Sequence, residues 1–185
     1  MRLMLTAIAA LVALGACSPS TNAGGARDGA RVGACARMVE RAATMTGPGD
    51  VIEARAIGDD CANAVVVWTL RNGAGKPIWT YAAPYQWLAT PVDPTSASEM
   101  DAFLESWAGV AVEDTSASPV WPAEDLAAPE AWGPAGSSMF LRETYESIRA
   151  AKMPRVCLPT SKESYQCLFY DAEAEAVDVH FSGGA

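Results

Sequence analysis

Histidine, cysteine and paired carboxylates are the side chains that could do chemistry in this chain, and each occurs in a pattern that narrows what it can do. His180 is the only histidine, so any Ser-His-acid or Cys-His scheme must run through it. No G-x-S-x-G elbow or S-x-x-K stretch precedes it. In Val177 to Phe181 apolar residues alternate with Asp178 and His180, which predicts a strand with His180 on its polar, exposed face. Asp101 and Glu105 are four apart in a helical pattern and so share one helix side; such a pair can do acid–base work, bind a cation or form a solvated face. Gly73-Ala74-Gly75-Lys76 suggests a phosphate loop, but that motif needs glycine where Leu70 stands and Ser or Thr where Pro77 stands. No cofactor is implied. A zinc site is not expected either, because there is no C-x-x-C spacing and only one histidine to help.

Aromatic and acidic residues gather in the middle of the chain. The six tryptophans are Trp68, Trp79, Trp87, Trp107, Trp121 and Trp132. Between Lys76 and Arg142 there is no basic residue, while Asp93, Glu99, Asp101, Glu105, Glu113, Asp114, Glu124, Asp125 and Glu130 fall inside. Trp68, Trp79 and Trp107 lie on apolar faces that suit a core. Trp121 and Trp132 lie in a proline-rich stretch without sustained period, Val110 to Ser138. With Asp101 and Glu105 they make up a possible binding surface for a sugar or a cationic partner. Long ordered loops of this kind are often functional.

The amino terminus fixes the compartment. Arg2 gives a positive start, Leu3 to Leu14 is an apolar run broken by Thr6, and Gly15 and Ala16 are small, which is the layout of a secretory signal. The run is too short for a transmembrane helix, which needs about 20 apolar residues. Leu14-Gly15-Ala16-Cys17 resembles the lipobox of bacterial lipoprotein precursors. That resemblance implies cleavage before Cys17, lipid on its sulfur and amine, and, with Ser18 next, transfer to the outer membrane facing the periplasm. Residues 1–16 are then a removed signal peptide, 17–31 a lipidated and flexible tether rich in Ser, Gly and Ala, and 32–185 one globular domain. The formal charge of −9 excludes nucleic acid and anionic surfaces as partners, since both are held through Lys and Arg clusters. Cys35, Cys61, Cys157 and Cys167 remain, an even number in an exported chain, so two disulfides are expected. Three connectivities exist; Cys35 with Cys61 and Cys157 with Cys167 is favoured by nearness in sequence.

Local patterns supply the elements. Cys35 to Met45 has Cys35, Met38, Val39 and Ala42 at helical spacing and predicts a helix, although Gly47-Pro48-Gly49-Asp50 could instead turn a hairpin into Val51 to Ala56. Ala64 to Leu70 and Ile78 to Ala82 flank Asn72-Gly73 and predict a hairpin, because both turn residues tolerate positive φ. Ser96 or Ser98 starts a helix with Met100, Phe103, Leu104 and Trp107 on one face, ended at Gly109. Arg142 to Lys152 predicts another helix, stopped by Pro154. Strands at 155–158, 165–170 and 176–181 follow as a meander.

The expected fold is a single α+β domain. An antiparallel sheet, built from the Asn-Gly hairpin and the C-terminal meander, is covered by two or three helices. The expected function is a non-enzymatic binding or structural accessory protein of the envelope, with a protein or glycan partner. Two alternatives follow from the same residues: a glycan or peptidoglycan binder, or inhibitor of a cationic hydrolase, using the acidic Trp-rich middle; and a periplasmic hydrolase with a carboxylate pair.

Overall fold

The computed structural model describes residues 35–88, 96–121 and 138–184. Among these residues eight strands form two four-stranded antiparallel sheets, each with its strands in sequence order. Sheet 1 takes β1 (Cys35–Ala43), β2 (Asp50–Gly58), β3 (Val65–Arg71) and β4 (Pro77–Pro84) in order; sheet 2 takes β5 (Val112–Asp114), β6 (Pro154–Pro159), β7 (Ser164–Asp171) and β8 (Ala176–Gly184). Three helices accompany them among the described residues: a single turn α1 (Tyr85–Leu88), then α2 (Ala97–Ala108) and α3 (Arg142–Ala151). The α+β class therefore holds, with the strands divided between two sheets.

The helix expected at Cys35 to Met45 is a strand, and the hairpin alternative is the one adopted. Its turn is fixed by Asp50, whose carboxylate accepts hydrogen bonds from the Thr46 and Gly47 amides and the Thr46 hydroxyl. Cys35, Arg37, Val39, Arg41 and Ala43 share the face whose partners on β2 include Ala56, Ala54 and Ile52. Exposed arginines at two positions of that face, Arg37 and Arg41, hide the period of two from a reader of the sequence. Here tertiary pairing overrides the helix propensity of Ala, Arg, Met and Glu.

The hairpin β3–β4 forms as expected, but its turn works differently. Neither Asn72 nor Gly73 has positive φ; Gly75 does, at 78°. The Asn72 side chain accepts from the Ala74 and Lys76 amides. Gly73 is glycine for space: a Cβ there would lie 2.8 Å from the Pro48 carbonyl oxygen in the β1–β2 turn.

Helix α2 starts at Ser96 with a capping box to Glu99 and ends at Gly109, as the sequence suggested. It lies on β1 and β2. Met100, Leu104 and Trp107 are buried with Ile52, Ala54, Val66, Trp68 and Leu70 of sheet 1 and with Val156, Leu158 and Leu168 of sheet 2. One cluster thus joins both sheets. The opposite face of sheet 2 packs a second cluster, Trp121 and Tyr145 against Cys167 and Phe181. Both expected disulfides are present with the favoured pairing, Cys35–Cys61 and Cys157–Cys167. The second joins residues directly opposite each other on β6 and β7.

Candidate functional site

The residues singled out in the sequence do not converge. Asp101 and Glu105 lie along α2 where β1 presents Arg37 and Arg41, and each acid pairs with one arginine. The Arg37 guanidinium, hydrogen-bonded to Asp101, holds that carboxyl below the usual carboxylate range. Glu113 likewise meets Arg155. Three acids of the basic-free stretch are therefore matched by arginines from outside it. Trp121 is 3% exposed and its ring meets Tyr145 edge-on at 5.6 Å, so it is a core residue and not part of a binding surface. Trp132, and Cys17 of the lipobox, lie outside the described residues. Of the stretch Val110 to Ser138, the described part holds β5, a 3-10 turn at Thr115–Ala117 and Trp121; residues 122–137 lie outside.

His180 is also corrected. It is fully buried, not exposed, and the reason is a β-bulge. Cys167 pairs with Phe181 and Leu168 with Val179, which leaves His180 as the extra residue on β8. A bulge breaks the strict alternation of faces, so His180 and Phe181 both turn inward. The His180 ring stacks on Tyr145 at 4.3 Å. Its Nδ1 lies 3.0 Å from the Ser118 Oγ and its Nε2 lies 3.3 Å from the Tyr145 carbonyl oxygen. Arg155 donates to the Ser118 Oγ at 3.0 Å. The Tyr145 carbonyl can only accept, so Nε2 carries the hydrogen, and in the neutral ring Nδ1 accepts the Ser118 hydroxyl proton. Desolvation lowers the histidine pKa. This is a Ser–His pair, but Ser118 is 3% exposed and its oxygen already accepts from a guanidinium, so it has neither access nor an activated lone pair.

An open cleft occurs elsewhere, where the β6–β7 turn meets the first half of the chain. Three hydrogen bonds fix that turn. The Tyr81 hydroxyl donates to the Thr160 carbonyl at 2.6 Å, the Trp107 indole N–H to the Pro159 carbonyl at 3.1 Å, and the Lys162 amide to the Trp87 carbonyl at 2.9 Å. Leu88, Phe103 and Trp107 line a cavity of ≈ 250 Å³ with Ser161 and Lys162 at its polar side. The Phe103 and Trp107 rings stack there, 5.6 Å apart. Two shallower hollows, ≈ 380 and ≈ 470 Å³, adjoin it, and both are lined by Gln86, Trp87 and Lys162. Lys162 borders all three and makes no ion pair among the described residues. Apolar walls with a few polar groups, at a junction between two parts of a fold, are the usual make-up of a small-ligand or peptide site. Trp87 is 64% exposed. Its sequence neighbourhood, three residues beyond Pro84 and off any apolar period, is the available signal for that.

Among the described residues no group of three or more His, Cys, Asp or Glu could hold a metal ion. Fold and cleft together define a disulfide-linked α+β domain with an open, mainly apolar cleft beside its β6–β7 turn. No protein-family model, curated protein or solved structure matches the chain.

Proposed function

We propose that the chain is a bacterial envelope lipoprotein, anchored through lipid on Cys17, whose domain binds another envelope component and does not turn over a substrate. The leader Met1 to Cys17, with its charge, apolar run and Leu-Gly-Ala-Cys ending, carries this reading. Two disulfides agree with an oxidising compartment. The binding role is supported by the cleft at Leu88, Phe103, Trp107 and Lys162, since the side chains best suited to catalysis are engaged: His180 with Ser118, and Asp101 and Glu105 with arginines. Ser18 after the cysteine favours the outer membrane, facing the periplasm.

The test is to fractionate cells and take the intact mass of the mature protein. An acylated Cys17 at the new amino terminus and transfer of Cys17→Ala to the soluble fraction are expected; an unmodified Cys17 would sink the anchor. A photocrosslinker at Ser161 should capture one discrete envelope component, and measurable hydrolysis of envelope substrates by the pure protein would overturn the non-catalytic reading.

A further inference from the structure

The chain enters the described domain at Cys35, the first residue of β1, and one end of sheet 1 surrounds that point. On the sheet face turned away from α2, the terminal row across the four strands is Ala36, Ile57, Val65 and Pro84. None of these is charged. Ile57 is 58% and Val65 45% exposed. In the next row stands Met38, 53% exposed, and α1, directly after Pro84, presents Trp87 at 64%. Four of the eight large hydrophobics exposed among the described residues thus lie toward this end of sheet 1, Ile57 and Val65 side by side in one row and Trp87 three residues beyond Pro84. Contiguous exposed apolar surface marks a partner or a membrane, and tryptophan favours the level of lipid headgroups.

We propose that this chain-entry end, through Ile57, Val65 and Trp87, rests on the surface of a lipid bilayer, so that the domain docks against the membrane that its own lipid holds. The inference rests on the lipid-anchor reading. Seventeen residues separate Cys17 from Cys35, which at full extension reach no further than about 60 Å. The domain therefore samples the bilayer at an effective concentration on the order of millimolar. A patch too weak to hold a free protein on a membrane suffices when a lipid already keeps it there. The charges nearby select the lipid. Arg55 in the second row is engaged by Glu53 and Arg37 by Asp101, and among the described residues Asp60 and Glu163 stand near this end against Lys162, so zwitterionic headgroups suit it better than anionic ones.

The experiment uses the full mature protein from envelopes, reconstituted in phosphatidylcholine vesicles with acyl chains brominated near the headgroup. Its intact mass is taken first. Tryptophan quenching is then compared between the natural chain and Trp87→Phe, and the difference isolates Trp87. Quenching of that difference signal is expected. An Ile57→Asp, Val65→Asp variant, which alters only exposed positions, should shift the docked-to-free ratio about tenfold toward free, and phosphatidylglycerol vesicles should quench less. An acylated protein whose Trp87 signal is unquenched overturns the docking and leaves the anchor standing. An unmodified Cys17 removes the anchor and the docking with it. Protection of Trp87 by a second copy of the chain, seen as concentration-dependent crosslinking without bromine quenching, also overturns it.

Discussion

At the scale of the residue, His180 is where the chain departs furthest from its local pattern. One extra residue in β8 turns the ring into the space between β8, α3 and β6, where it faces Tyr145, Ser118, Arg155 and, more distantly, Glu146 and Arg149. Burial lowers its pKa, so as pH falls below the ordinary value of about 6.5 the unfolded chain binds the proton first. Stability is then full above that value and declines below it, toward the folded-state pKa. His180 is the only histidine, and histidine is the side chain whose ordinary charge change falls in this range, so the change between pH 7.5 and 5.5 is chiefly its own. Urea unfolding should show the natural chain losing stability over that interval, and His180→Gln, less stable at pH 7.5 by about 1–3 kcal/mol, should show a flatter profile. Equal slopes for the two proteins would contradict this account. Glu53 behaves oppositely. Its side chain is buried on the outer face of sheet 1 against Arg55 and Arg71, and the Arg55 hydrogen bond, above all, lowers its pKa. Its contribution is held above the usual carboxylate range and lost as pH falls through the lowered value.

At the scale of the element, the two disulfides do different work. Cys35–Cys61 closes 26 residues and clamps the first residue of β1 to the β2–β3 connection; Cys157–Cys167 closes 10 across β6 and β7. If both act mainly by restricting the unfolded chain, the longer loop contributes more by about 0.8 kcal/mol. Chemical unfolding of the paired alanine variants, Cys35→Ala with Cys61→Ala against Cys157→Ala with Cys167→Ala, measures that difference directly. A larger loss from the short loop would show that packing of Cys167, which is fully buried with Trp121 and Phe181, outweighs chain entropy. The helices need no such links. Helix α2 has a complete capping box, and α3 ends at Lys152 in a left-handed conformation, φ 53°.

At the scale of the whole molecule, the β6–β7 turn joins the halves. Tyr81 from β4, Trp107 from α2 and the Trp87 carbonyl from α1 all bind its backbone, and the open cleft lies against the same turn. The junction and the open cleft here have one cause, since clamping the turn holds Lys162 and Ser161 in place. Tyr81→Phe should cost about 1 kcal/mol, Trp107→Phe more because it also removes buried ring volume, and both should speed hydrogen exchange at the Lys162 amide. Unchanged exchange in both would mean that the apolar cluster shared by the sheets, and not these bonds, sets the geometry. Replacing the exposed Trp87 by alanine should leave stability within about 0.5 kcal/mol, which separates its surface role from a packing one.

By itself the sequence determined the features that depend on near neighbours. The β3–β4 hairpin, the Ser96 cap, the α3 boundary and the C-terminal strands all follow from spacing and turn chemistry within a few residues, whereas the cysteine pairing was only favoured by nearness and is settled by the fold. Tertiary structure decided the rest, because those outcomes depend on what a segment meets. Cys35 to Ala43 became a strand because β2 pairs with it and α2 offers acids to its arginines. His180 went inside because a bulge opposite Cys167 and Leu168 shifted the register. Trp121 was drawn into the core by Tyr145, and Trp87 was left at the surface, at the end where the chain enters.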